Sequence, residues 1–421
     1  MLKKICRMVA WPAPNGSLSG ALNCWAFILM ATYLLVLPIA HTIAVRHIAF
    51  YSLLLLTLWA VWRYRLRLSF PVAWAWAVYA AIALCSVLYA IDPAYSLSEV
   101  KREVVYGFLA LVLAATWIRS AEALSRMIAV IIAGNLLMVG YAVFSIVVSG
   151  LGQSYLQEGS FSGVGMFSTY LITVFPFVAA YALQLKDTHK TIYYLLLAVL
   201  ALNGIVLYFS GNRAGLVSLL VELVVAAYLL RDSIFPRAQR RFLITIIVLA
   251  VVLTGLFVKQ MNERIVLRQA ELGVTAADEP DQRWKIWRVA VENIRAHPLV
   301  GAGFGREAFR LRNPEFSKEG TNYWHAHNVF LNKGVQMGIP GMLAFLVLML
   351  AALRAVWIAC ARRETPSPLH AYATACMVMM VGLLTKNMTD DFFVRDGALL
   401  FWVLTGAVLG ALGGERAAHA L

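Results

Sequence analysis

Apolar residues run along this chain in blocks of about twenty, separated by short polar connections. A transmembrane α-helix needs about 20 predominantly apolar residues. By that rule the sequence predicts twelve spans, over residues 23–40, 43–62, 70–90, 103–118, 126–149, 164–184, 191–209, 214–230, 242–258, 328–353, 369–388 and 397–413. The second starts poorly, because His41, Arg46 and His47 crowd its beginning. One polar stretch, 259–326, is far longer than the other connections. It separates a first block of nine spans (1–258) from a last block of three (327–421) within one integral membrane domain. No internal repeat is visible, so the inverted-repeat plan of many transporters has no support. The expectation is an all-α polytopic membrane protein of about twelve transmembrane helices, with one large loop carrying amphipathic helices.

Composition agrees with this pattern. Hydrophobic residues make up 61% of the chain and charged residues 14%, whereas a soluble domain carries about a quarter charged. A formal net charge of +14 would raise the question of nucleic acid in a soluble protein. Here the basic residues sit at the ends of apolar blocks, where topology and anionic lipid account for them, so no nucleic-acid partner is expected. The short connections alternate in charge: one set holds eighteen Lys and Arg, the other six. Basic loops stay cytoplasmic, which places both termini in the cytoplasm and the 259–326 loop outside. The five cysteines show no CxxC spacing and indicate neither a disulfide framework nor a zinc site.

The less basic face carries the unusual residues. Arg213 lies in Ser210-Gly211-Asn212-Arg213-Ala214-Gly215, at the predicted start of the eighth span. A helix N-terminus offers unpaired N–H groups, and a guanidinium beside it suits a phosphate. Lys101 and Arg102 stand similarly before the fourth span, as interfacial anchors or as phosphate ligands. In the long loop, residues 281–294 predict an amphipathic helix with Trp284, Trp287, Val291 and Ile294 on one face and Arg288, Glu292 and Arg295 away from it. Pro298 to Gly305 is a glycine-rich turn that no strand precedes, so it is not read as nucleotide-binding.

The loop closes with Tyr323-Trp324-His325-Ala326-His327-Asn328. An imidazole at a membrane boundary can serve as a general base near pH 7, or simply cap a helix. No HExxH or Cys/His cluster supplies further ligands, so no metal is expected. Asp390 and Asp391 could take a divalent cation. The simpler reading of that pair is capping, or pairing with Arg395 or another outer arginine.

These motifs together resemble a known family. His327-Asn328, nine residues, then Gly338-Ile339-Pro340-Gly341 is similar to the H-N-x9-G-x-x-G pattern of O-antigen ligases and their polymerase relatives. Arg283…Trp287, Pro298-Leu299-Val300-Gly301-Ala302-Gly303 and Asn212-Arg213-Ala214-Gly215 resemble that family's remaining elements, in order, over about residues 205–345. The resemblance implies a C-type glycosyltransferase architecture in the bacterial inner membrane, with a periplasmic active site. It implies transfer of a glycan from undecaprenyl diphosphate to lipid A–core, without cofactor or metal.

In that reaction diphosphate is already a good leaving group, so what is missing is a base. His327 would be that base, with His325 as second candidate or orienter and Asn328 beside them as a substrate-binding residue. Arg213, Arg283 and Arg288 would clamp diphosphate, and Lys101 and Arg102 would meet acceptor phosphates. An O-antigen polymerase or a protein-directed oligosaccharyltransferase would use the same donor. A lipid-linked oligosaccharide transporter would need charges along the spans, where Glu222 is the clearest exception to an apolar pattern.

Overall fold

A computed structural model describes residues 20–39, 41–149, 164–230, 282–317, 324–361, 367–391, 393 and 395–419, with the isolated positions 252, 255 and 259. Apolar side chains in long uninterrupted runs leave the backbone to satisfy itself, and in hydrocarbon a helix does so within one segment. The described residues accordingly form α1 (Gly20–Val36), α2 (Ile43–Tyr64), α3 (Ala73–Val87), α4 (Pro93–Glu99), a π-helical turn (Val100–Val105) and α5 (Tyr106–Trp117). There follow α6 (Ala121–Ser149), α7 (Val164–Leu185), α8 (Lys190–Phe209) and α9 (Arg213–Leu230). Then come α10 (Gln282–Ala296), α11 (Ala308–Arg312), α12 (Val329–Ala361), α13 (Ser367–Asn387) and α14 (Arg395–His419).

Eight of these are long and apolar enough to cross a membrane, and α1 and α3 are shorter apolar helices. Each predicted span coincides with a helix except 242–258, which lies outside the described residues apart from isolated positions. The chain is an all-helical polytopic membrane protein. Large apolar side chains such as Ile48, Leu55, Trp62 and Val147 stay exposed on the helices, as expected where the surroundings are lipid. Arg46, at the weak start of the second span, is buried in an ion pair with Asp396.

The fourth span departs from expectation. Asp92 caps α4 by accepting from the Tyr95 N–H at 2.9 Å, with Pro93 in the first turn. The helix then continues through the π turn into α5. Lys101 and Arg102 therefore sit inside a continuous helical run, where no helix start presents free N–H groups.

The helices pack α5 on α14, α13 on α7 and α9, α3 on α12, and α1 on α2. Gly406, Gly410 and Gly414 of α14 lie against the backbone at Leu111, Ala115 and Arg119. Without a side chain at those three positions the two helices approach closely, the usual route to tight packing in lipid. Asn135 of α6 and Asn203 of α8 exchange buried hydrogen bonds at 2.9 and 3.0 Å. Cys24 is disulfide-bonded, a pairing that cysteine spacing did not indicate; Cys85, Cys360 and Cys376 are free. A second, smaller core of Ile286, Ala290, Phe309, Ala326 and Val335 forms where α10 and α11 cover the start of α12.

Candidate functional site

The site begins with a broken helix. Gly338, at φ 69°, interrupts α12 two residues before Pro340, and Pro340 has no N–H to give the carbonyl four residues back. The glycine-rich segment supplies the missing donors. Ala302 N donates to the Val335 carbonyl at 2.9 Å and Gly303 N to the Gln336 carbonyl at 3.0 Å. In return Ile339 N donates to the Pro298 carbonyl at 2.8 Å. Gly301 lies so close to this backbone that a Cβ there would stand 2.2 Å from Gln336 carbonyl atoms. These glycines seat one chain segment against an opened helix.

The break leaves 329–337 as a short helix with His327 and Asn328 at its N-terminus. The Asn328 side chain caps it, accepting from Phe330 N at 2.9 Å and Leu331 N at 3.0 Å. Its amide donates to the Met388 carbonyl at 2.9 Å. Asn328 thus positions the loop through its own side-chain bonds. His327 takes a left-handed backbone, φ 48°, uncommon for a residue with a Cβ and suggestive of a site held by its surroundings.

Two imidazoles meet here, with ring centroids 4.1 Å apart. His325 is buried, and Arg306 donates to its Nε2 at 2.6 Å. Burial, then the charges of Arg306, His327 and Arg283, hold His325 well below the usual histidine range, so it is neutral near pH 7. The His327 N–H also approaches His325 Nδ1, at 3.1 Å. A neutral ring carries one proton, so His325 can accept at only one of its two nitrogens. His327 keeps 25% of its side chain exposed, with Nδ1 3.5 Å from Asp390 Oδ1. That distance is an electrostatic contact, too long for a tight hydrogen bond.

Asp390 and Asp391 do not turn toward Arg395. Asp390 lies against His327; burial would raise its carboxyl, but His327 and Lys386 outweigh it and the net shift is downward. Asp391 accepts from the Asn332 amide. Burial pushes Asp391 above the ordinary carboxylate range, with Arg306 and Lys333 pulling against it. We expect Asp390→Asn to lower turnover at least about tenfold, on the order of what a partner orienting a histidine contributes. Steady-state rates at saturating substrate check this.

Arg283 is brought to the site from α10 as an electrostatic neighbour of His325 and Lys386. The face of α10 that packs inward carries Ile286 and Ala290, with Val289 and Ile294 partly buried. This differs from the expected stripe: Trp284 is exposed and stacks edge-on against Trp287, 5.2 Å between ring centroids. At 100° per residue Arg283 shares the inward face and Arg288 does not; Arg288 is exposed. Arg213 begins α9, with Asn212 Oδ1 accepting from Gly215 N at 2.8 Å. Glu222 of α9 packs on Gly382 of α13. Gly215 of α9 packs on Ser168 of α7, and Lys386 reaches Gly165 three residues before it, so Arg213 lies at the same end of the bundle as Lys386.

Lys101 and Arg102 are exposed; Lys101 stands 6.0 Å from the Tyr106 ring centroid and Arg102 pairs with Glu99 at 2.8 Å.

Three residues at the site escaped sequence reasoning. Arg306 follows the glycine-rich run directly, which could have marked it. Buried Lys386, whose ammonium donates to the Gly165 carbonyl at 3.3 Å, read only as a loop cation. Lys333, inside an apolar span, pairs with Glu103 of the π turn at 3.0 Å. His325, His327 and Asp390 offer donor atoms within 4.8 Å of one another, a possible metal set among the described residues. A cation bound there would have to displace either Arg306 from His325 Nε2 or the His327 N–H from Nδ1, and would sit near Arg283 and Lys386. No curated protein matches the chain. Residues 196–346 match the O-antigen ligase family, a stretch from α8 into α12 that contains Arg213, Arg283, Arg306, both histidines and Lys333.

Proposed function

From an O-antigen ligase domain over residues 196–346, we propose that this protein transfers an O-antigen glycan from undecaprenyl diphosphate to lipid A–core. The observation that carries the reading is His327, a quarter exposed beside Asp390 at the head of a broken helix, with Arg306 and Arg283 acting on its partner imidazole. In this reading the bundle has about twelve spans and a C-type glycosyltransferase plan. Both termini are cytoplasmic, and the histidine end faces the periplasm at the inner membrane.

The chemistry needs one base and a place for negative charge. An acceptor sugar hydroxyl attacks the anomeric carbon and passes its proton to His327 Nε2. The C–O bond to diphosphate breaks, and undecaprenyl diphosphate leaves with the electron pair. One displacement inverts the anomeric centre. Asp390 faces Nδ1 and favours the imidazolium as it forms. His325 is the poorer base, because its Nε2 already receives Arg306; it orients the pair. Arg213, Arg283, Arg306 and Lys386 collect the charge growing on the diphosphate, and buried cations act strongly where water is excluded. The exposed Lys101, Arg102 and Arg288 meet phosphates of the acceptor or of surrounding lipid.

The test is transfer by purified protein in liposomes with undecaprenyl-diphosphate glycan and lipid A–core, with and without chelator. Labelled product on lipid A–core at an unchanged rate in chelator is expected. Chain growth on the undecaprenyl carrier, with none on lipid A–core, would make the protein a polymerase. Activity lost in chelator and restored by a divalent cation would move the chemistry to His325, His327 and Asp390 as a metal set.

A further inference from the structure

Arg306 follows a stretch of backbone that does not hold its own shape. Gly303 and Gly305 both take positive φ, 102° and 136°, and glycine gives a chain freedom that must be restrained from outside. The restraint comes from α4 and the connection before it. Ile91 N donates to the Ala302 carbonyl at 3.0 Å. Gly303 lies against Ala90 and Ser96, and Gly305 lies against the Tyr95 ring, where an added Cβ would stand 2.5 Å from Cε1. The Tyr95 hydroxyl accepts from Glu307 N at 3.0 Å. One side chain therefore touches the residue before Arg306 and the residue after it.

The peptide unit that joins Arg306 to Glu307 is held on both edges. Its N–H meets the Tyr95 hydroxyl, and its carbonyl accepts from the Asn332 amide at 3.4 Å. A peptide unit is planar, so bonds on opposite edges fix its tilt on one side of the Arg306 Cα. The ring against Gly305 fixes the chain on the other side. The Arg306 side chain that leaves this point ends on His325 Nε2, at 2.6 Å. Tyr95 itself is anchored: its own N–H donates to the capping Asp92 at 2.9 Å, and α4 runs on through the π turn into α5.

From these contacts we infer that Tyr95 is a positioning residue, a clasp from α4 that holds Arg306 on His325 by gripping the residues on either side of it. Tyr95 reaches the imidazole only through Arg306. Loss of the hydroxyl frees one edge of the 306–307 peptide, and loss of the ring frees Gly305 as well.

The experiment uses the full chain in liposomes with Tyr95→Phe, which keeps the ring, and Tyr95→Ala, which keeps neither ring nor hydroxyl. The first readout is modification of His325 by diethyl pyrocarbonate, located by fragment-ion mass spectrometry with His327 on the same peptide as reference. The second is kcat and KM for glycan transfer. The parent should protect His325, whose Nε2 receives Arg306. Tyr95→Ala should raise His325 modification about tenfold or more, the weight of one lost hydrogen bond to a charged group. Its kcat should fall about 10²-fold, with KM for the lipid A–core acceptor within about twofold. Tyr95→Phe should lie between, with kcat down about tenfold.

The modification decides the inference. His325 protected in folded Tyr95→Ala overturns it whatever the rate does, and so does a His325 that is already reactive in the parent. A contribution to stability alone would lower the melting temperature and leave His325 protected in the folded protein. If Tyr95→Ala does not fold, Tyr95→Phe decides in the same way. The kinetic arm rests on the glycosyl-transfer reading, whereas the modification arm needs no substrate. A parent that transfers no glycan would sink that reading, and His325 reactivity would still support or overturn the clasp.

Discussion

Replacing His327 by alanine is expected to lower glycan transfer by about 10²- to 10⁴-fold, the range that a positioned general base contributes. The protein should remain folded. His327 keeps a quarter of its side chain exposed, and the short helix behind it is held by Asn328, Asn332 and Lys333 through their own bonds. Donor binding should change little, because the diphosphate is assigned to the arginines. The loss should therefore appear in kcat with KM nearly constant, the signature of an interaction made only in the transition state. Single-turnover transfer with a labelled donor measures it. A His327→Ala variant within a few-fold of the parent would remove His327 from the chemistry. His325→Ala would then be the next variant to assay, although Arg306 occupies its Nε2.

The second large effect is expected from Gly301→Ala, a residue that touches no substrate in this scheme. Its Cβ would stand 2.2 Å from both the carbonyl carbon and oxygen of Gln336. The obstacle is backbone, so no flexible side chain can yield. Relief requires the segment to lift off α12, breaking the bonds from Ala302 and Gly303 to the Val335 and Gln336 carbonyls. Overpacking of this kind costs about 1–3 kcal/mol. Arg306 lies five residues on in the same segment, so it would be displaced from His325. A misplacement of about 1 Å at a catalytic group can cost about 10²-fold in rate. The expected outcome is a comparable fall in kcat with the helical content of the bundle retained. Circular dichroism together with the transfer assay separates this from unfolding. Parental activity in Gly301→Ala would show that the glycine-rich segment does not set the site.

The apolar blocks and the charge of their connections made the membrane character and nearly every helix legible from sequence. Periods of twenty apolar residues have one stable outcome in lipid, because a lone backbone must satisfy itself. The motif around His327 and Asn328, with Gly338 to Gly341 nine residues on, marked the region where the helix breaks. Arg283 was singled out from sequence as well, and in the structure its charge acts on His325.

What the linear pattern could not show was which neighbour each polar group has. Lys101 and Arg102 attracted attention as charges at a helix start, yet the π turn places them outward and Glu103, the next residue, inward against Lys333. Trp284 read as part of one apolar face lying on the bundle or at the bilayer surface; packing against Phe309 and Val335 turns Ile286 and Ala290 to the core and leaves Trp284 exposed. Asp390 and Asp391 read as caps, or as partners of Arg395 or another outer arginine, and Arg306 does act on Asp391. They lie against residues about sixty positions earlier in the chain, His327 and Asn332.

Sequence alone thus determined the class of the molecule and the segment that matches the O-antigen ligase family, because hydrophobic length and local backbone demands are properties of short stretches. Only the tertiary structure decided the partners of His325, His327, Asp391 and Lys333. Those pairings depend on how separate helices rotate and approach, which no short stretch encodes.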